Sequence, residues 1–338
     1  MNKKHAEKAR RYLEVHAQLS AKHRIYGDNS FIYLPMMIGT DDKKAKSAAR
    51  KLGAKLVDKK FEELGDRSGY RQLLKQELGK RYDDVTKSYD LVGNIALIDA
   101  KGEPAKKIAR AIMETNKNIK TVISKGGAVR GKYRTRKYVH ILGKRNFVAE
   151  YKENGVLLKF DIRKTFFSSR LAFDRLRIAR LVKNNEKVIV MFAGMGPFAI
   201  EIAKMHKKSE VVGIELNKSA CAYMKKNIEL NHLKNVIAEV GDVKKVAHEY
   251  RGFADRIIMP LPKDAYDFLD AALEVAKKKA VIHYYAFGKR ESAFEDQIKL
   301  VKSFFAKKHR KMSIIDKRVV RKYSPKEIEI VLDILIAK

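Results

Sequence analysis

A chain of 338 residues with 45% hydrophobic and 34% charged side chains has room for two or three separately cored domains and is too apolar for general disorder. Its 74 Lys+Arg against 40 Asp+Glu leave a formal charge of +34, which repels itself in a compact fold and calls for a polyanion. Nucleic acid is favoured over a membrane surface, because the basic residues are spread along the chain rather than gathered on one amphipathic helix.

The single cysteine, Cys221, excludes an internal disulfide framework and cysteine-cluster metal sites, so no metal is expected. No apolar run approaches the roughly 18–20 residues of a membrane span, and the first residues lack the apolar core of a signal peptide. A soluble, cytoplasmic protein without a membrane partner is expected. No sustained heptad pattern suggests a coiled coil, and a monomer is expected.

Taken in chain order, residues 1–65 predict a small α/β unit: a helix over 6–19, a strand at 31–34, and a second helix near 43–52. A second block, 66–164, opens with a helical pattern over 70–78. It continues through a buried strand at 94–98, a helix over 105–115, and strands at 121–123, 138–142, 147–151 and 156–162. Between these strands lies Arg130-Gly131-Lys132-Tyr133-Arg134-Thr135-Arg136. Such interleaving of cations with an aromatic suits phosphate contact and base stacking. A solvated hairpin edge guarded by cations is the plainer alternative. The overall charge tips the reading toward RNA contact by Arg130, Lys132, Tyr133 and Arg136.

The third block, 165–338, alternates strands and helices in the manner of an open, mostly parallel sheet. Strands are expected at 188–191, 211–214, 236–240, 256–259, 280–283, 313–317 and 327–335. No helical pattern separates the last two, which predicts a closing hairpin. The strand at 188–191 breaks into Phe192-Ala193-Gly194-Met195-Gly196-Pro197-Phe198 and then an amphipathic helix. A buried strand, a glycine turn and a helix amino terminus together make a nucleotide-cofactor cradle. Glu215 ends the next strand, nineteen positions after Gly196, where a carboxylate suits ribose hydroxyls. The turn also satisfies the dinucleotide fingerprint, Gly194-x-Gly196-x-x-Ala199. Pro197-Phe198 puts bulk where a pyrophosphate would have to approach, and Asp242 adds a second acid after the third strand. Acids at both places suit S-adenosylmethionine.

These residues carry a resemblance. FAGMGPFAIEIAK, VVGIELNKSACAYMKKNIELN, EVGDV and RIIMPLPKDAYDFLDAAL resemble the catalytic domain of the tRNA (guanine-37-N1)-methyltransferases of the archaeal and eukaryotic class. The likeness extends to residues 166–177, where family members tend to read FSPRL-x-x-ER, to 89–97, to Gly131-Lys132-Tyr133-Arg134 and to 319–325. It implies a Rossmann-type class I methyltransferase domain (165–338) preceded by two smaller α/β domains. It further implies S-adenosylmethionine as cofactor, bound by Arg175, Phe192, Gly194, Glu215, Leu216, Asp242 and Val243. The implied partner is tRNA, engaged at the anticodon loop and, by residues 1–65, at the elbow. The family places a base and an O6-stabilising guanidinium at positions matching Asp174 and Arg134, with Asp here in place of the usual Glu.

The sharper departure is Met259-Pro260-Leu261-Pro262. Many relatives have Asn-Leu-Pro, whereas Pro260 offers neither a polar side chain nor an N–H. The Pro-Leu-Pro variant resembles the archaeal subtype implicated in wyosine synthesis. That resemblance implies methylation of C7 of 4-demethylwyosine at position 37 of phenylalanine tRNA, besides N1 of guanosine.

Overall fold

Two turns of the chain show why local sequence sufficed to predict most elements. Gly93, at φ 58°, reverses β3 (Asp90–Val92) into β4 (Ile95–Ile98), and a Cβ there would lie 1.9 Å from the Glu150 carbonyl oxygen. Only glycine fits such an approach. Asn154-Gly155, both at positive φ, likewise joins β7 (Val148–Glu153) to β8 (Val156–Asp161). The structure is a computed structural model, and it describes residues 9, 12–13, 26–27, 32–34, 36, 42–57, 67–127, 131 and 135–337.

The chain divides into two compact units. The first comprises residues 1–87 with 106–118. It contains the short antiparallel pair β1 (Tyr26–Gly27) and β2 (Ile32–Tyr33), then α1 (Asp42–Lys51) and α2 (Arg67–Leu78). It also holds most of α3 (Gly102–Thr115), whose Lys107 donates to the Glu77 carbonyl at 2.6 Å. Most of the helix expected over 6–19 lies outside the described residues.

The second unit comprises 88–105 with 119–338. A four-stranded sheet in the order β3-β4-β5-β6 includes β5 (Thr121–Lys125) and β6 (Tyr138–Gly143). A seven-stranded sheet follows in the order β11-β10-β9-β12-β13-β15-β14. Its parallel strands are β9 (Lys187–Met191), β10 (Glu210–Glu215), β11 (Val236–Val240), β12 (Ala254–Met259) and β13 (Ala276–Lys289). The expected closing hairpin is present as β14 (Lys311–Lys322) and β15 (Glu327–Ala337), antiparallel to each other, with β15 also paired antiparallel to β13. These last strands outrun the predicted ones. Gly288 breaks the apolar pattern, but antiparallel pairing with β15 from Ala280 to Lys289 keeps β13 extended there, while Lys277–Lys279 fall where the register with β12 shifts, between the Ala254–Ala276 and Arg256–Val281 pairs.

Side chains alternate across this sheet with the period of two that a strand imposes. Ile189 and Met191 face a core shared with α7 (Val243–Val246), α8 (Leu269–Val275) and α9 (Ala293–Lys307). Val188 and Val190 face α4 (Ala172–Leu181), α5 (Pro197–Met205) and α6 (Lys218–Leu230). This is the Rossmann-type α/β architecture expected. Among the described residues no helix is long and apolar enough to cross a membrane.

The expected boundary at 164/165 falls inside the second unit. Val156, Leu158 and Phe160 of β8 share one core with Met195 and Ile200 of the glycine turn and α5. Asn227 of α6 and Asn231, the residue that caps its carboxyl end one turn on, stand in for a neighbouring strand. Asn227 accepts from the Lys159 N–H at 2.7 Å, and Asn231 accepts from Leu157 N–H at 3.0 Å while donating back to its carbonyl at 2.6 Å. The edge of β8 is thereby satisfied without a backbone partner.

Glu201 of α5 is buried among these elements, with one carboxyl oxygen lacking a hydrogen-bond partner among the described residues. Burial, with the Glu153 charge adding to it, pushes its pKa up to about 8. The folded protein therefore binds this proton more tightly than the unfolded chain, and stability falls as pH rises from about 4.5 to about 8. Glu201→Gln removes that loss: thermal melting should show the variant's advantage growing across this interval and levelling above it. A pH-independent difference would rule out the titration.

Candidate active site

At the carboxyl end of β9 three residues take left-handed backbone: Phe192 (φ 54°), Gly194 (φ 59°) and Gly196 (φ 92°). Gly196 caps α5, and Pro197 occupies its first turn, where the missing N–H costs nothing. A Cβ on Gly196 would sit 2.7 Å from Met224 Cγ and 2.9 Å from Ile200 Cδ1. At Gly194 the nearest atom would be the Phe166 carbonyl oxygen, 3.9 Å away, which leaves room beside the turn.

Glu215 closes this cradle from β10. Its carboxylate accepts from the Gly194 and Asn217 N–H groups, both at 2.7 Å. Burial raises its pKa, and those backbone donors oppose the rise. The Glu215 carbonyl accepts from Gly241 N–H at 3.0 Å, which brings the end of β11 alongside. There Asp242 caps α7 by accepting from Lys244 N–H at 3.1 Å, and Val243 is buried in the core. Leu216 is half-buried, as is Phe192, which packs edge-on against Phe268 at 4.7 Å. Pro260 is half-buried directly after β12. Six of the seven expected cofactor residues thus stand at the carboxyl ends of neighbouring strands, where open α/β sheets hold ligands. Two acids near a glycine turn fit a ribose and an adenine edge, with an aromatic available for packing. Among the described residues no three His, Cys, Asp or Glu side chains are grouped to hold a metal ion.

The seventh, Arg175, lies apart from these strand ends and is engaged by protein acceptors. It is buried on α4 and donates to both Glu153 oxygens, at 2.5 and 2.7 Å, and twice to the Ser168 carbonyl at 3.2 Å. Its guanidinium also lies 5.0 Å from the Phe167 ring centre. All three of its nitrogens are committed to protein acceptors, so it fixes the loop at 166–170 to the β7–β8 hairpin.

Asp174, in the first turn of α4, is buried as well. One oxygen accepts from the Tyr285 hydroxyl and the other from Arg177 Nε at 2.8 Å. Arg177 donates onward to Asp333 at 2.7 Å, Asp333 meets His283 Nδ1 at 2.6 Å, and His283 Nε2 meets Arg256 at 2.8 Å. Arg256 closes on Glu186 at 2.7 and 3.0 Å. An arginine can only donate, so Nε2 accepts and Nδ1 carries the proton toward Asp333. The imidazole is neutral, and burial holds its pKa below the ordinary value. Burial alone would raise Asp333, but the bonds from His283 and Arg177 take it down to about 2. The chain of alternating charges crosses β12, β13 and β15 on the α4 face of the sheet.

Arg130, Lys132, Tyr133 and Arg134 lie outside the described residues. Arg136 is described: it is half-buried, and its Nε has no hydrogen-bond partner among the described residues. Sequence reading missed the roles of Glu153, Arg177, Tyr285 and the His283–Asp333 pair. A signal existed for the last two: single polar residues within VIHYY and IVLDILI, where buried polar groups need partners.

Residues 149–315 match the family model described as the TRM5/TYW2 methyltransferase domain, and 70–146 match the TYW2 N-terminal domain. The chain is 35% identical to the tRNA (guanine(37)-N(1))-methyltransferase Trm5b of Pyrococcus abyssi, over 97% of this chain and 95% of that protein. It is 34% identical to the tRNA 4-demethylwyosine(37)-methyltransferase Taw21 of Saccharolobus solfataricus, over 74% and 94%. It is 33% identical to the tRNA(Phe) (4-demethylwyosine(37)-C(7)) aminocarboxypropyltransferase of Methanocaldococcus jannaschii, over 72% and 96%. Among solved structures, the complex of aTrm5 and tRNALeu superposes with a TM-score of 0.70 at 32% identity, covering 100% of this chain and 98% of that one. The M. jannaschii TYW2 complex with AdoMet gives 0.60 at 28%, covering 74% and 100%.

The Glu153–Arg175 pair yields a stability test. Removing one partner strands a buried charge, which costs about 3–5 kcal/mol, whereas replacing both with apolar groups is far milder. Glu153→Ala should lose stability of that order in urea unfolding, and Glu153→Leu combined with Arg175→Met should regain most of it. A double variant no better than the single one would show that the pair acts through something other than charge burial.

Proposed function

The chain belongs to the TRM5/TYW2 methyltransferase family, and from that premise we propose that it transfers a methyl group from S-adenosylmethionine to N1 of guanosine 37 in tRNA. One observation carries this reading. The likeness to Trm5b spans 97% of the chain, whereas those to Taw21 and the aminocarboxypropyltransferase span 74% and 72%. On this reading Glu215 and Asp242 hold the ribose and adenine of the cofactor, Phe192 and Leu216 pack against it, and Gly194 and Val243 shape the wall. The bound group supplies an activated methyl on a sulfonium. What remains for the protein is to orient the acceptor and to manage one proton.

N1 of guanine carries a proton, and charge grows on O6 as it leaves. Asp174 is proposed to accept that proton and Arg134 to stabilise O6. A carboxylate offers about four acceptor positions, so the bonds from Tyr285 and Arg177 leave capacity for one more. Arg175 is a positioning residue, acting through the Ser168 carbonyl. Arg130, Lys132, Tyr133 and Arg136 are proposed to contact the anticodon loop and residues 1–65 the elbow. The functional division is 1–65, 66–164 and 165–338, in a cytoplasmic monomer.

Pro260 favours a second reaction, methylation of C7 of 4-demethylwyosine. A residue without a polar group or an N–H removes one constraint on the edge of the base, and unmet hydrogen bonds are what enforce discrimination.

Incubation with labelled S-adenosylmethionine and tRNA, followed by mass spectrometry of nucleosides, should yield 1-methylguanosine at position 37. Its absence in the presence of calorimetric cofactor binding would overturn the N1 assignment, and absence of cofactor binding would overturn the enzyme reading altogether. Glu215→Ala should weaken the cofactor at least about tenfold. Pro260→Asn should shift product from the tricyclic base toward 1-methylguanosine, and an unchanged ratio would remove Pro260 from the specificity argument.

A further inference from the structure

Behind Asp174 stand buried polar groups for which methyl transfer has no direct use. His283 and Tyr285 are two positions apart on β13, so their side chains leave the same face of the sheet. Asp333 of β15 lies directly opposite His283 in the strand register and shares that face. The rest of this face is apolar, with Val188, Val190, Ile258 and Val331 buried in one core. An imidazole and a carboxylate placed there add little net stability, since apolar groups of similar volume serve as well. What they do fix is orientation.

Asp174 and Arg177 sit one turn apart on α4, joined from Nε to Oδ1 at 2.8 Å. By itself that bond would let the two side chains swing together. Two groups from the sheet remove the freedom. The Tyr285 hydroxyl donates to the second Asp174 oxygen, while its ring packs edge-on against Phe198 at 6.2 Å. Asp333 takes the far end of Arg177, from Nη1 at 2.7 Å. A guanidinium is planar and rigid, so a tilt imposed at Asp333 reappears at Asp174. Asp333 is steadied in turn by His283 Nδ1 at 2.6 Å, and the ring is kept from turning by Arg256 on Nε2 at 2.8 Å. Arg256 has three further bonds, two to Glu186 and one to the Leu181 carbonyl at 2.9 Å.

We propose that Tyr285 and His283 are positioning residues for the reaction: Tyr285 aims the Asp174 carboxylate directly, and His283 does so through Asp333 and Arg177. The proposal rests on the reading of Asp174 as the base. Two substitutions separate positioning from simple packing. His283→Asn keeps an N–H where Nδ1 stands and gives up the acceptor for Arg256. His283→Gln can keep an acceptor where Nε2 stands and gives up the donor to Asp333. The measurement is the single-turnover rate of the full chain at saturating tRNA and S-adenosylmethionine, with the affinity for each and the melting temperature taken alongside. His283→Gln should lose about tenfold in rate, well within what a misplacement of under 1 Å costs, with both affinities unchanged. His283→Asn should stay within about threefold of wild type, although both variants lose one bond and melt alike. Equal rates for the two, or rates that follow melting temperature, overturn the proposal. Tyr285→Phe keeps the ring in place and carries the test should either variant at 283 fail to fold. It should also lose about tenfold in rate, and full activity overturns the proposal. Asp174→Asn distinguishes the parent reading: wild-type rates in that variant overturn the base assignment and the positioning role with it.

Discussion

The seating of the β7–β8 hairpin on α4 and α6 is the constraint from which the rest of the site follows. Two kinds of interaction hold it: the asparagine bonds along the edge of β8, and the Glu153–Arg175 pair with its grip on Ser168. The first replaces a missing strand and the second ties a loop. Together they set residues 162–171, and that segment borders the glycine turn. Neither arrangement adds much net stability compared with an apolar substitute, since desolvation offsets most of what a buried ion pair gains. What they add is a single admissible position for the loop, because any shift would leave a buried charge or amide unpaired.

Charge is organised differently inside and out. The surface carries the large cationic excess, whereas the α4 face of the sheet buries an alternating sequence of Asp174, Arg177, Asp333, neutral His283, Arg256 and Glu186. Each member has a neighbour of complementary sign or a hydrogen bond, which is the condition under which such groups tolerate burial. On the proposed mechanism the consequence falls on Asp174. Its two bonds hold the carboxylate in one rotamer, which offsets part of the reach lost by having Asp where relatives have Glu.

Legibility in the sequence tracked the range of the interaction concerned. The cradle was legible because glycines at Gly194 and Gly196, Pro197 at the helix start and Glu215 after the next strand are local signatures with fixed spacing. The closing hairpin was legible because no helix could intervene between residues 317 and 327. The pairing of Arg175 was not legible because its partner, Glu153, lies 22 positions away on a hairpin whose docking no local pattern reports. Asn227 and Asn231 read as ordinary polar positions on a helix, since their partners are 68 and 74 residues distant. The lengths of β13 and β14 were underestimated for a related reason: antiparallel register with β15, and not side-chain alternation, holds residues such as Gly288 in the strand.

The family contains relatives named for methyl transfer and one named for aminocarboxypropyl transfer on chains about equally similar to this one. The fold and the cradle alone therefore do not choose the reaction. On the proposed reading the acceptor is also not chosen by the base, because methylation at N1 of guanine and at C7 of the tricyclic base each releases one proton that Asp174 can take. What differs between the two acceptors is the edge they present to the end of β12. Pro260 stands there with no donor to offer, held between the buried Met259 that ends β12 and a loop whose Pro262 carbonyl accepts from Phe287 N–H. A backbone fixed on both sides with nothing to donate discriminates by shape alone, and shape admits both a guanine and its tricyclic derivative where a hydrogen bond would have to select one.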